Sequence, residues 1–151
     1  WFTKAAEQGD VNAQYNLGVM HRDGEGTPKD DKQAVYWFTK AAEQGDANAQ
    51  QNLGIMSYYG EGTPQEHKEA FKWLSKAAEQ GHAYAQQNLG HLYLTGEGIT
   101  QDYVMAHMFF NVASANGQEK ADEWRGELSK EMSPSQIEKA QDLARKWIET
   151  H

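Results

Sequence analysis

The 151-residue chain contains no cysteine. That excludes a disulfide framework and any thiolate metal site, while leaving the redox compartment open. Long apolar runs are missing too: no stretch approaches the roughly 20 residues that a membrane-spanning helix needs, so membrane insertion is not expected. Lysine and arginine number 14 against 22 aspartate and glutamate, for a formal net charge of −8, and the basic residues form no run. Such a surface repels nucleic-acid phosphate and anionic lipid alike. Apolar residues make up only 38%, with a mean hydropathy of −0.88. A round globule of this length ordinarily carries more; an elongated stack of thin layers manages with less. No targeting segment opens the sequence, which starts at Trp1 without an initiator Met. A segment removed upstream would leave no trace.

What is present is repetition. Lys-Ala-Ala-Glu-Gln-Gly stands at 4–9, 40–45 and 76–81; Asn-Leu-Gly at 16–18, 52–54 and 88–90; Gly-Glu-Gly at 24–26, 60–62 and 96–98. All three motifs recur every 36 residues and in phase, which defines a structural repeat.

Each repeat reads as two helices. The first is predicted from about Asp46 to Tyr59, where Leu53 and Met56 fall within about 40° of Ala49 and form one apolar stripe with it. Gly54, like Gly18 and Gly90, costs about 1 kcal/mol relative to Ala inside a helix; its recurrence predicts a neighbour too close for a Cβ. The second helix is predicted from about Asp30 to Gln44, with Ala34, Trp37, Phe38, Ala41 and Ala42 on one broad face. Gly45 suits the left-handed position that ends it, and Asp46 suits the N-cap of the next helix. Between the two, Gly60-Glu61-Gly62-Thr63-Pro64 supplies two permissive glycines and a proline that cannot continue a helix.

The chain therefore reads as a single all-α domain over 1–151. Residues 1–9 are the tail of a preceding repeat, with Trp1 at the Trp37 position, followed by repeats 10–45, 46–81 and 82–117 and a divergent capping repeat, 118–151. An array opening there has lost its upstream neighbour, so the sequence is expected to be an excised piece or an array without its first segment. In the fourth repeat Gly-Glu-Gly is gone and Trp124-Arg125-Gly126 replaces Asn-Leu-Gly. Its second helix should start at Ser133-Pro134-Ser135-Gln136, close to a capping box with Pro at the first helical position. Ala144 and Trp147-Ile148 repeat the Ala34 and Trp37-Phe38 pattern, and Lys139, Arg145, Lys146 and Glu149 give a polar outer side, as a terminal repeat requires.

The succession Ala-x-Ala-Gln-x-Asn-Leu-Gly, Gly-Glu-Gly-Thr-Pro and Ala-x-x-Trp-Phe-x-Lys-Ala-Ala-Glu-Gln-Gly resembles the Sel1-like repeat, a relative of the tetratricopeptide repeat with a longer turn. The resemblance covers the first three repeats closely and fades in the fourth, where Ala121, Gly126, Ala144 and Trp147 still match. It implies a right-handed α/α superhelix, a solenoid of antiparallel helix pairs with about nine helices, its Leu-Gly helices lining the concave side. It also implies adaptor or scaffold work, often at the bacterial envelope, in secretion or in host contact, and so a periplasmic or secreted location rather than a cytoplasmic one. One cysteine-rich branch of the family is linked to penicillin binding; without cysteine, this chain is not expected to share that activity.

A partner protein or peptide is expected on the face of each Leu-Gly helix turned about 180–260° from the apolar stripe. There lie Asn48, Gln51, Ile55 and Tyr58, with Tyr59 at the edge. The equivalents are Asn12, Tyr15, Val19 and Arg22 in the first repeat and Tyr84, Gln87, His91 and Leu94 in the third; in the fourth they are Lys120, Glu123, Glu127 and Lys130. This face mixes aromatic and aliphatic side chains with amides and varies between repeats, which suits a contact surface. Burial of some of its tyrosines between layers is the structural alternative. The Trp-helix face (Lys32, Tyr36, Thr39, Glu43) is charged and reads as solvated. Asn16, Asn52 and Asn88, at the margin, read as an amide ladder bonding backbone groups, with donation to a bound peptide as the alternative.

No catalytic or metal constellation is expected, and no cofactor. The six histidines (His21, His67, His82, His91, His107, His151) form no His-Glu-x-x-His pattern and read as surface residues, with His91 falling on the expected groove. The Gly-Glu-Gly loops lack the Lys and Ser/Thr of a phosphate loop. Asp23-Gly24-Glu25 lacks the alternating ligands of a calcium loop. Ser75, Ser114 and Ser129 have no base nearby in sequence. The alternative to partner binding is an architectural spacer, or a segment of a larger envelope or secreted protein that self-associates through the open N-terminal end at Trp1. A cell-wall or β-lactam-related enzyme is not expected.

Overall fold

The computed structural model describes residues 2–151, with side chains from Thr3 onward. The expectations placed on Trp1, its core position and its role at an open end, lie outside the described residues. Among those residues there are nine helices and no strand. They are α1 (Phe2–Glu7), α2 (Val11–Asp23), α3 (Asp31–Glu43), α4 (Ala47–Tyr59), α5 (His67–Glu79), α6 (Ala83–Thr95), α7 (Tyr103–Ala115), α8 (Glu119–Ser129) and α9 (Pro134–Thr150). The chain divides into two compact units, Trp1–Trp73 and Leu74–His151.

Local chemistry sets the helix ends. Asp10, Asp30, Asp46 and Asp102 each accept a backbone N–H three residues on, from Ala13 (2.8 Å), Gln33 (3.2 Å), Ala49 (2.8 Å) and Met105 (3.1 Å). These bonds satisfy a donor that the helix itself leaves open. His82 takes the same place for α6, its Nδ1 accepting from Ala85 N at 3.2 Å. Ser133 and Gln136 complete the expected capping box, with Pro134 inside the first turn. At its C-terminus α3 closes as a Schellman motif: Gly45 N donates to Ala42 O (3.0 Å) and Asp46 N to Ala41 O (3.1 Å), with Gly45 at φ +98.

In the N-terminal unit α2 packs against α1 and α3, and α3 against α4. One cluster there joins Ala34, Phe38, Ala41 and Ala42 to Ala49, Leu53, Met56 and Trp73. So many alanines permit close helix approach, which explains how a thin layer is filled with few large side chains. Phe38 is fully buried, and a Cβ on Gly18 would stand 2.6 Å from its ring. The close neighbour anticipated for the Leu-Gly glycine is thus an aromatic side chain of the paired helix. In the C-terminal unit α7 packs against α6, α8 and α9. Its cluster comprises Ala106, Phe110, Ala113, Ala121, Leu128, Met132 and Ala140. Here a Cβ on Gly90 would lie 2.8 Å from the Phe110 ring.

A second periodic device had no place among the expectations. Gln14, Gln50 and Gln86 are buried, and each donates its side-chain N–H to the carbonyl eight residues back: Ala6 (3.0 Å), Ala42 (3.2 Å) and Ala78 (3.1 Å). Gln44 Nε2 donates to Gln14 Oε1, and Asn116 Nδ2 to Gln86 Oε1, both at 2.8 Å. A buried amide is stabilising only when both its ends are satisfied. Here each amide ties the end of one repeat's second helix to the first helix of the next.

Candidate partner-binding site

The expected contact residues lie on α2 and α4 in the N-terminal unit and on α6 in the C-terminal unit. On α2, Asn12 is exposed. Tyr15 and Val19 are half-buried against the core cluster, the Tyr15 ring 5.8 Å from that of Phe38. These two are partly structural. Arg22 is also half-buried. Its Nε donates to Asp23 Oδ1 at 2.9 Å, its NH1 donates to Asn52 Oδ1, and its guanidinium carbon lies 5.8 Å from the Phe38 ring centroid. The hydrogen bond to Asp23 holds the Arg22 pKa above its ordinary value, outweighing burial.

On α4, Asn48 and Tyr59 are exposed, whereas Gln51, Ile55 and Tyr58 are half-buried. The Tyr58 ring sits 4.9 Å from both Tyr59 and His67. Asn52 donates to Asn48 O at 2.8 Å while accepting from Arg22. At this repeat the marginal asparagine therefore serves the fold. Asn16 is exposed and Asn88 half-buried; the amide buried at the same register in the first three repeats is the glutamine two positions earlier.

On α6, Tyr84 and His91 are exposed and Leu94 is half-buried. Gln87 departs from the expectation. It is only 8% exposed, and its Oε1 is buried without a hydrogen-bond partner among the described residues. Position on one helix wheel carries no information about what neighbouring helices cover.

His91 and Leu94 line an open cleft of about 440 Å³ with Tyr103, Trp124 and Leu128, and Glu127 and Glu131 complete its lining. The Trp124 ring stands 5.5 Å from His91 and 5.7 Å from Phe110. Leu128 belongs to the core cluster, and Leu94, Tyr103 and Trp124 pack on it. The cleft is thus a place where the core of this unit reaches the surface. Tyr103, Trp124 and Leu128 were not among the expected contact residues. The signal available was the exchange of the repeat's Asn for Trp at 124. A more polar hollow of about 270 Å³ on the N-terminal unit, lined by Val35, Thr39, Ser57 and Trp73 among others, shares none of the expected residues.

His107 corrects a second expectation. It is a core residue, 2% exposed, rather than a surface histidine. Its Nε2 lies 3.0 Å from Ser129 Oγ, and that hydroxyl donates to Arg125 O at 2.8 Å. Ser129 therefore accepts from the Nε2–H of His107. Burial, then the nearby positive charge of Arg125, lower the His107 pKa. Its Nδ1 has no partner among the described residues, so the carboxylate that orients a catalytic histidine is missing. The pair pins α7 to α8. No group of three or more His, Asp or Glu suited to a metal ion occurs among the described residues, and no helix there is long and apolar enough to cross a membrane.

Caps every 36 residues, alanine-rich helix pairs and periodic glycines against buried phenylalanines define an all-α repeat protein. The Sel1 repeat family model matches residues 1–10, 11–46, 47–82 and 83–118; the chain belongs to the Sel1 repeat family. Its structure resembles that of a Sel1 repeat protein from Oxalobacter formigenes, at 35% identity over 83% of this chain and 95% of that one, with a TM-score of 0.76. It also resembles a protective antigen of uropathogenic Escherichia coli with the Sel1-like repeat fold, at 33% identity over 99% of this chain but only 40% of the antigen, with a TM-score of 0.67. Cysteine-rich protein B of Helicobacter pylori shares the fold at 22% identity and a TM-score of 0.63, over 80% of this chain and 91% of that one. No curated protein matches the chain. Sel1 repeats form a scaffold family that typically mediates protein–protein contact rather than catalysis.

Proposed function

We propose that this chain is an adaptor or scaffold module that binds a partner protein through an extended segment laid on the Leu-Gly helix faces. The observation that carries this reading is the open cleft beside His91 and Leu94, whose floor is continuous with the core of its unit. Apolar side chains left accessible there, rimmed by polar ones, are what a partner's side chain can desolvate with gain. Ile55 and Tyr58, half-buried on α4, and the exposed Tyr59 and Tyr84, at 62% and 57%, offer further contact area of the same kind.

The test starts by cross-linking and identifying a partner, then measuring its affinity for Ile55→Asp and Tyr58→Ala variants. With the circular dichroism spectrum unchanged, the expected result is a loss of about tenfold or more, equivalent to roughly 1.4 kcal/mol. Unchanged affinity for both variants would show that the α4 face is not the contact surface.

A further inference from the structure

In the 36-residue sequence register, the cleft residues of the C-terminal unit correspond to a matched set in the N-terminal unit. Two periods before His91, Leu94, Trp124, Glu127 and Glu131 stand Val19, Arg22, Asn52, Ile55 and Tyr59. In the N-terminal unit the chain supplies its own cation to this position. Arg22 reaches from α2 to Asn52 on α4, lies 5.8 Å from the Phe38 ring and is half-buried. In the C-terminal unit the arginine has become Leu94, and the asparagine that received it has become Trp124. Two apolar positions, Ile55 and Tyr59, have become Glu127 and Glu131. The register position thus changes from a cation tied to Asp23 and Asn52 to an open aromatic cleft with acidic flanks.

Among the described residues, no lysine or arginine lines this cleft. Glu127 on its rim meets Lys130 at 3.1 Å. Both side chains are about 70% exposed (70% and 72%), and such a pair contributes little and exchanges readily. Resting on the adaptor reading above, we infer that the cleft takes a partner segment in which an arginine stands beside an aliphatic residue. The aliphatic side chain covers Leu94 and Leu128. The guanidinium lies against Trp124 and between Glu127 and Glu131, filling in trans the place that Arg22 fills in cis. Arginine suits this place better than lysine, because its planar, weakly hydrated cation stacks on an indole and offers paired donors to carboxylates.

The probe is the pentapeptide Ac-Ser-Leu-Arg-Leu-Ser-NH2, titrated to millimolar concentration into the whole ¹⁵N-labelled chain. Two control peptides replace Arg by Glu or both Leu by Ser. Expected are shifts of the Trp124 indole N–H and of the amides of Leu94, Glu127 and Glu131, with both controls at least about tenfold weaker. Glu127→Gln with Glu131→Gln, both at exposed positions, should remove the preference for Arg over Glu. Leu94→Arg with Trp124→Asn rebuilds the N-terminal unit's tie and should abolish binding; if that variant does not fold, the glutamine pair carries the test. Equal binding of the Arg and Glu peptides, shifts that miss Trp124, or no binding at millimolar peptide would each overturn the inference. A cross-linked partner sensitive to Ile55→Asp but indifferent to the glutamine pair would overturn it too, while leaving the adaptor reading intact.

Discussion

The N-terminal and C-terminal units share one periodic frame and fill it differently. In the first, aspartates 10 and 46 cap the Leu-Gly helices, Gly18 faces a buried phenylalanine, and Arg22 ties α2 to α4. In the second, His82 takes the aspartate's place and Gly90 faces Phe110. At the next repeat, however, Gly126 has nothing within 4 Å of a Cβ, and Leu94 and Trp124 stand where the tie would be. The frame survives because it rests on backbone requirements: a cap acceptor, a left-handed C-terminus and room for a crossing ring. The contents vary because the half-open positions carry no such requirement. In the C-terminal unit that freedom produced a cleft.

The comparison breaks most visibly at the glycines. Gly90→Ala pushes a methyl against the Phe110 ring and to 3.2 Å from Ala106 O, and is expected to cost about 1–3 kcal/mol. Gly126→Ala, in the same register but in open space, should instead gain up to about 1 kcal/mol from helix propensity. Urea denaturation of the two variants checks the opposite signs. A cost at Gly126 would mean that the fourth repeat packs as the others do.

Next in size is an acid sensitivity of the C-terminal unit. The His107 pKa is lowered by burial and by Arg125, so the unfolded chain takes up this proton more readily than the folded one. The stability contribution is complete above the unfolded value of about 6.5 and is lost as pH falls through the folded pKa. His107→Gln, which keeps a donor for Ser129, should flatten that part of the profile of denaturation midpoint against pH. An unchanged slope would assign the acid sensitivity to other groups. The smallest effect is expected at the cap: His82→Asp restores the carboxylate of positions 10 and 46 at a helix N-terminus. It should add about 0.5–1 kcal/mol at neutral pH, read as a rise in melting temperature.

Much of the fold was legible in the sequence because its determinants are local. Asp46 finds Ala49 three residues on, and Gly45 closes α3 within two residues of its end. Ser133 and Gln136 answer one another across one turn. Such contacts need only helix geometry, so residue type and spacing reveal them. The glutamine bonds are of mixed range. Gln86 to Ala78 spans eight residues, Asn116 to Gln86 thirty, and both require the helix pairs to be stacked before any partner comes within reach.

The candidate site was less legible for the same reason. Tyr15 and Gln87 occupy the expected side of their helices, yet one rests on the core and the other is buried. His107 looked superficial until α8 brought Ser129 to it from twenty-two residues away.

By itself, then, the sequence determined the period, the helix ends, the core stripes and the family. These follow from backbone hydrogen bonds and from burial patterns confined to a few turns. Only tertiary structure decided which amides are buried, which histidine lies in the core, and that Trp124 borders an open cleft rather than closing a layer. Those outcomes depend on what a neighbouring helix covers, and no single helix encodes that.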